Sequence, residues 1–184
     1  MRYFVGFLLA IGLIIGVFIL ILRGFTHHSA VPQNQINLLD YTNSQTVVQL
    51  SVDGPVNADQ NHEGYQITVG RDSSSIEVMQ GYQGSVTQQK TYPNNAAAYG
   101  NFLRALQLFN FTKGNPSTAL SDDRGVCPTG DRYVFSILSG GQTVQRYWTT
   151  SCGGGSFQGK SATIRNLFQQ QIPDFNTLTQ NLNL

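Results

Sequence analysis

The sequence predicts an α+β protein: one N-terminal transmembrane helix, then a single domain of antiparallel sheet, built from two hairpins plus an extra strand, with two packed helices. Three observations predict it. An uncharged apolar run, YFVGFLLAIGLIIGVFILIL, occupies residues 3–22. Beyond it, several short segments alternate apolar and polar residues, and two longer segments carry apolar residues at helical spacing. Hairpins followed by helices indicate antiparallel sheet with helices on one face.

The apolar run is long enough for a bilayer: ~20 residues at 1.5 Å each give ~30 Å. A cleaved secretory signal has a shorter apolar core of about 7–15 residues, with small residues just after it. Here the nearest small residues, Ser29 and Ala30, lie past Arg23, and no cysteine follows that would carry a lipid anchor. Residues 1–24 are therefore read as an uncleaved signal-anchor contacting lipid through residues 3–22, with a cleaved signal as the alternative. Gly12 and Gly16 form a small-xxx-small pair through which two anchors could associate as a homodimer. Arg2 on one side and Arg23, His27 and His28 on the other nearly balance the positive-inside bias.

Orientation follows better from composition. Only 11% of residues are charged, against ~25% in ordinary soluble domains, while amides and hydroxyls are abundant. Such a surface is common outside cells. The net charge of +1 is spread without a basic cluster, which speaks against nucleic acid as a partner.

Residues 25–44 read as a polar linker, 45–173 as the domain and 174–184 as a C-terminal tail. In TVVQLSVDG, Val48, Leu50 and Val52 alternate with Gln49 and Ser51 until Asp53-Gly54-Pro55 stops the strand. Tyr65, Ile67 and Val69 share one face of a hairpin that turns at 71–74 and returns through Ile76 and Val78. Residues 84–91 offer a further strand. Asn94 or Asn95 then caps a helix whose stripe is Tyr99, Phe102, Leu103, Leu106 and Phe109, a pattern of core packing. A long loop, 112–130, leads to RYVFSIL, a glycine turn and TVQRYWTT, the second hairpin. Ile164, Leu167, Phe168 and Ile172 define the second helix, ended by Pro173.

Cys127 and Cys152 are the only cysteines and bracket the second hairpin. With Ser139-Gly140 as the turn, paired positions put the two cysteines opposite one another. With Gly140-Gly141 as the turn, Cys152 falls two residues out of register and the irregular stretch 128–130 must absorb the difference. Either places the thiols within bridging reach. A structural disulfide, stabilising by about 3.5 kcal/mol on the chain-entropy estimate, is the preferred reading and belongs in an oxidising compartment. Free buried thiols and a reactive or metal-bound cysteine are the alternatives. A zinc site lacks ligands, because His62 is the only histidine past the membrane-proximal pair.

Residues 154–161 satisfy G-x-x-x-x-G-K-[ST], the P-loop pattern. Its context does not. The preceding strand alternates and belongs to a hairpin, where a P-loop sits on a nearly continuous apolar strand of a parallel sheet. Only one helix and a tail follow Lys160, too little for the remaining strand-helix units and their magnesium-binding aspartate. What survives is an anion-binding candidate: free amides at a helix start beside Gly154, Gly155, Gly159, Lys160 and Ser161.

Acidic residues are few, and Asp122-Asp123-Arg124 is their main cluster. It reads as a calcium or carbohydrate contact on a long loop, or as a solvated turn. Asn57, Asp59 and Asn61 begin like an EF-hand loop, but His62 and Thr68 stand where glycine and glutamate are required. With His62 the one imidazole past residue 28, no Ser-His-Asp triad is assigned. Arg146, Tyr147 and Trp148 are candidates for an exposed patch or for core and edge. No metal site and no cofactor are expected.

In outline, an apolar helix, an α+β domain and a late disulfide loop are similar to a pilin, but the apolar run holds no glutamate and Gly24–Thr26 follow it. No residue roles carry across. The functional expectation is a membrane-anchored extracytoplasmic domain acting as a binding or envelope-assembly module without catalysis, its partner an envelope protein or a glycan. An extracytoplasmic hydrolase using aspartates of the 112–130 loop is the alternative. A nucleotide or anion binder at 154–161 is the third.

Overall fold

A computed structural model describes residues 36–42 and 45–184. The signal-anchor at 1–24, its lipid contacts and the Gly12–Gly16 pairing lie outside the described residues. Among those described, no helix is long and apolar enough to cross a membrane.

Six strands form one antiparallel sheet: β1 (Thr46–Asp53), β2 (Glu63–Val69), β3 (Ser73–Gln80), β4 (Ser85–Pro93), β5 (Arg132–Ser139) and β6 (Gln142–Thr150). Their spatial order is β4-β3-β2-β1-β5-β6. Three helices follow the chain order β4-α1-β5-β6-α2-α3: α1 (Ala96–Leu108), α2 (Ser161–Gln169) and α3 (Phe175–Thr179). The fold is α+β, with one strand more than two hairpins and a single extra strand supply; the sixth is β4, over the stretch read as a further strand. β4 is an edge strand and almost wholly exposed, so apolar alternation, which records burial of one face, is absent from TQQKT.

The alternation of β1 to β3 and β5 resolves into two faces. Val48, Leu50 and Val52 of β1 are buried, as are Tyr65, Ile67 and Val69 of β2 and Ile76 and Val78 of β3. The register Ile67↔Ile76 and Tyr65↔Val78 puts them side by side. Tyr133, Phe135 and Ile137 of β5 continue the face, since Phe135 lies opposite Leu50. Against this face pack Tyr99, Phe102, Leu103 and Leu106 of α1, with Ile164 and Phe168 of α2. Phe168 meets Phe102 edge-to-face at 5.2 Å and Phe111 at 5.9 Å. Each fully buried aromatic of this kind stabilises by roughly 2–3 kcal/mol.

Local punctuation follows the chemistry of the residues. The Asn95 side chain accepts from the Ala98 amide at 2.9 Å and caps α1. Gly140 and Gly141 form the second hairpin's turn, both at positive φ (55° and 79°), the conformation a two-residue turn of this hand requires. Ser139 therefore pairs with Gln142, and a bulge at Ile137/Leu138 shifts the register by one before Arg132 meets Thr150.

The packed body reaches past 45–173 at both ends. Leu38 is buried, and its amide donates to Gln107 Oε1 of α1 at 2.9 Å. After Pro173, Phe175 of α3 meets Tyr65 edge-to-face at 5.3 Å, and Leu178 and Leu182 pack on the core. The Asp174 carboxylate accepts from Lys90 and Tyr92 of β4. Too few apolar residues lie in either segment to show a period, yet each covers part of the core.

The second sheet face carries Gln49, Ser51, Gln66, Thr68, Ser75 and Glu77, tied by cross-strand bonds such as Gln49 Nε2 to Thr68 Oγ1 at 3.1 Å and Ser51 Oγ to Gln66 Oε1 at 3.0 Å. The 112–130 loop covers this face at Val134 and Trp148. Trp148 is buried beneath it, its indole N–H donating to the Leu120 carbonyl at 2.7 Å.

Candidate functional site

Charged groups gather where β1 ends and β5 begins. Asp53 closes β1 on the polar phase of its alternation, and the register sets Arg132 directly opposite on β5. The Arg132 guanidinium donates to Asp53 Oδ2. Its Nε lies 3.2 Å from Asp123 Oδ2, an ion contact without hydrogen-bond alignment, and its Nη1 donates to the Asp123 carbonyl at 3.3 Å. Arg146 Nη2 holds the same Asp123 carboxylate at 2.8 Å. Burial, and then the neighbouring Arg146 charge, pull the Arg132 guanidinium below its ordinary range.

The second oxygen of Asp53 faces His62, whose Nε2 lies 2.8 Å from Oδ1 while Nδ1 lies 3.1 Å from the Pro55 carbonyl. The ring is buried and stacked on Tyr82 with centroids 4.1 Å apart and planes 17° from parallel. Tyr82 is itself held at three points. Its hydroxyl donates to the Asn57 carbonyl at 2.9 Å and accepts from the Asn57 amide at 3.0 Å, and its own amide donates to Asp59 Oδ1 at 2.8 Å. The Asn57, Asp59 and Asn61 segment thus frames an aromatic ring.

Asp53, His62 and Arg132 floor a cleft of 440 Å³, whose walls include Val56, Tyr82 and the loop residues Arg124–Cys127. Its size is ordinary for a small-ligand site. The disulfide Cys127–Cys152, Cα atoms 5.8 Å apart, ties the loop wall to the residues after β6. A further bond runs from the Val56 amide to the Pro128 carbonyl at 2.7 Å. Gly130 lets the loop pass close: a Cβ there would lie 2.7 Å from Cys127 Sγ.

The loop cluster separates. Asp122 and Arg124 pair with one another on the surface, at 2.7 Å and 2.9 Å, and the guanidinium holds the Asp122 carboxyl well below the usual carboxylate range. Asp123 points inward to Arg132 and Arg146. Arg146, Tyr147 and Trp148 also part: Tyr147 is partly buried against the core, while Arg146 and Trp148 lie on the other face under the loop.

The glycine segment folds back on β6. Gly153, Gly154 and Gly155 all have positive φ, and Thr149 and Thr150 hydroxyls bond the Gly154 and Gly153 carbonyls at 2.7 Å. Phe157 leaves the segment for the core, stacking on Phe135 at 4.2 Å. The amides of Phe157, Gln158, Lys160 and Ser161 donate to the carbonyls of Trp148, Lys113, Phe109 and Gly159. A phosphate cradle needs such amides turned to the ligand; here these four serve the fold. Lys160 Nζ sits 5.7 Å from the Phe109 ring centroid.

Asp53, Tyr82 and Arg132 carry no motif, and His62 was noticeable only as the lone imidazole of the domain. A faint signal exists in charged residues that end or begin an alternating strand. Set against known proteins, the chain matches no family model and no curated relative.

Proposed function

We propose that this chain is a single-pass membrane-anchored protein that presents its α+β domain outside the cytoplasm and acts as a binding or envelope-assembly module without catalysis, with the Asp53–His62–Tyr82–Arg132 cleft as its binding face. One observation carries the choice of binding over hydrolysis: both aspartates of the loop are engaged by arginines, Asp122 by Arg124 and Asp123 by Arg132 and Arg146. A hydrolytic pair needs one carboxyl to carry a proton and the other to act on water or substrate; here the arginines occupy the oxygens of both carboxylates. Support for the compartment comes from the disulfide, which persists in oxidising surroundings, and from the apolar run at 3–22.

The test is the thiol state of the protein extracted from native membranes. Alkylation before reduction should label neither cysteine, and alkylation after reduction should label both. Two free thiols in the native protein, or recovery of the chain in the soluble fraction, would reverse the reading.

A further inference from the structure

Resting on that reading of the cleft as a binding face, we propose that its occupant is an uncharged, hydroxyl-rich polysaccharide chain, stacked on Tyr82 and running onto the polar sheet face. Three features of the molecule lead there. The first is a preorganised aromatic platform. Tyr82 is 49% exposed although one ring face rests on the buried His62, and its hydroxyl and amide are both anchored. A ring so fixed loses little conformational freedom on binding, and a sugar ring offers it a flat C–H surface. Val56 and Val126, 57% and 39% exposed, add apolar walls beside it.

The second is charge. The charged groups of the cleft and of the hollow beside it are matched within the protein: Asp53 and Asp123 with Arg132 and Arg146, and Arg124 with Asp122 at the surface. A charged ligand would have to displace one of these pairs, whereas a neutral polyol need not. Asp53 keeps acceptor capacity, because a carboxylate has about four lone-pair directions and each oxygen here is shown with one partner. Its side chain is 31% exposed.

The third is continuity. A second hollow, lined by Gln49, Ser51, Gln66 and Ser136, adjoins the cleft and shares Asp53, Met79 and Arg132 with it. Together they make a trough that is apolar and glycine-lined at the Tyr82 end and carries amides and hydroxyls (Gln49, Ser51, Gln66, Ser136 and Thr143) at the other, an apolar platform beside groups that exchange hydrogen bonds with sugar hydroxyls. An extended chain fits this shape better than a compact ligand.

The experiment uses the full chain in detergent or nanodiscs, titrated with a β-glucan, a mannan and a xylan, and with dextran sulfate as the charged comparison. At least one neutral polysaccharide should bind saturably. Tyr82→Ala should weaken it at least about tenfold, as loss of a central aromatic anchor does, while Tyr82→Phe, which keeps the ring, stays within about threefold. Val126→Glu, at an exposed wall, should weaken binding without unfolding, and emission from the single tryptophan, Trp148, reports the fold of each variant. No binding to the neutral polymers, binding of dextran sulfate alone, or binding indifferent to both Tyr82→Ala and Val126→Glu overturns the proposal. A photo-crosslinker at Val126, used in host membranes, separates the two readings. Protein adducts without glycan binding overturn the polysaccharide and leave a binding face; neither adducts nor glycan binding overturns both.

Discussion

The Tyr99 hydroxyl donates to the Thr46 carbonyl at 2.8 Å, joining the first turn of α1 to the start of β1 inside the core. Burial pushes the Tyr99 phenol up to about 12, and burial, with a hydrogen bond to Asp131, does the same to Tyr133. The unfolded chain ionises near pH 10, so below that pH neither state is ionised and stability is intact. Between about pH 10 and 12 the unfolded state releases protons that the folded state keeps, and each tyrosine removes about 1.4 kcal/mol per pH unit. Urea midpoints should fall across that window, and Tyr99→Phe should flatten part of the fall while costing about 1–2 kcal/mol at neutral pH for the orphaned carbonyl. A midpoint unchanged from pH 10 to 12 would contradict this.

The disulfide closes the loop that walls the cleft. Cys127→Ser with Cys152→Ser should lower stability by about 2–4 kcal/mol and speed tryptic cleavage after Arg124, which is 84% exposed at its side chain. Equal cleavage rates in both proteins would mean that Asp123 and Trp148 hold the loop unaided.

Phe168 links the two helices to each other and to Phe111. Phe168→Ala should cost about 3–5 kcal/mol by leaving a cavity between them. Leu108→Ala, at a position 76% exposed on the last turn of α1, should change the melting temperature by no more than the error of the measurement.

Two ion pairs of similar appearance should differ. Arg132 serves Asp53 and Asp123 at once and is partly buried, so Arg132→Ala should destabilise by about 3 kcal/mol, because two carboxylates each lose one of their two partners. Arg124→Ala breaks an exposed pair within three residues, and denaturant unfolding should not detect it.

The tail can be tested directly. Removing 174–184 uncovers Tyr65 and breaks the Asp174 contacts with Lys90 and Tyr92. A loss of about 2–4 kcal/mol is expected from the apolar area of Phe175, Leu178 and Leu182, read as a lower urea midpoint. An unchanged midpoint would make the tail dispensable.

Much of the fold was legible because it is written at short range. The alternation of Val48, Leu50 and Val52, the stripe from Tyr99 to Leu106, a cap at Asn94 or Asn95 and a turn at 139–141 each depend on residues a few positions apart, and the structure selects Asn95 and Gly140-Gly141. β4 was faint because an exposed edge strand has no buried face to mark it. The site was scarcely legible at all. Asp122, Asp123 and Arg124 are adjacent in sequence, but Arg124 lines the cleft wall, Asp123 turns into the adjoining hollow and Asp122 lines neither, while Asp53 and Arg132 meet across 79 positions.

Periodicity, caps and turns are local consequences of backbone geometry, and the order of residues alone determined them: which faces the strands would bury, where the helices would start, and, to within one residue, where the second hairpin would reverse. It also brought the two cysteines near each other, since a hairpin lies between them. Tertiary structure decided the rest. The pairing of β1 with β5, the loop laid over Trp148, the tail docked on Tyr65 and the ring of Tyr82 held against His62 are choices between surfaces far apart in the chain. Their energy comes from complementarity of shape and charge that exists only once both surfaces have formed, and a short window of sequence contains only one of the two.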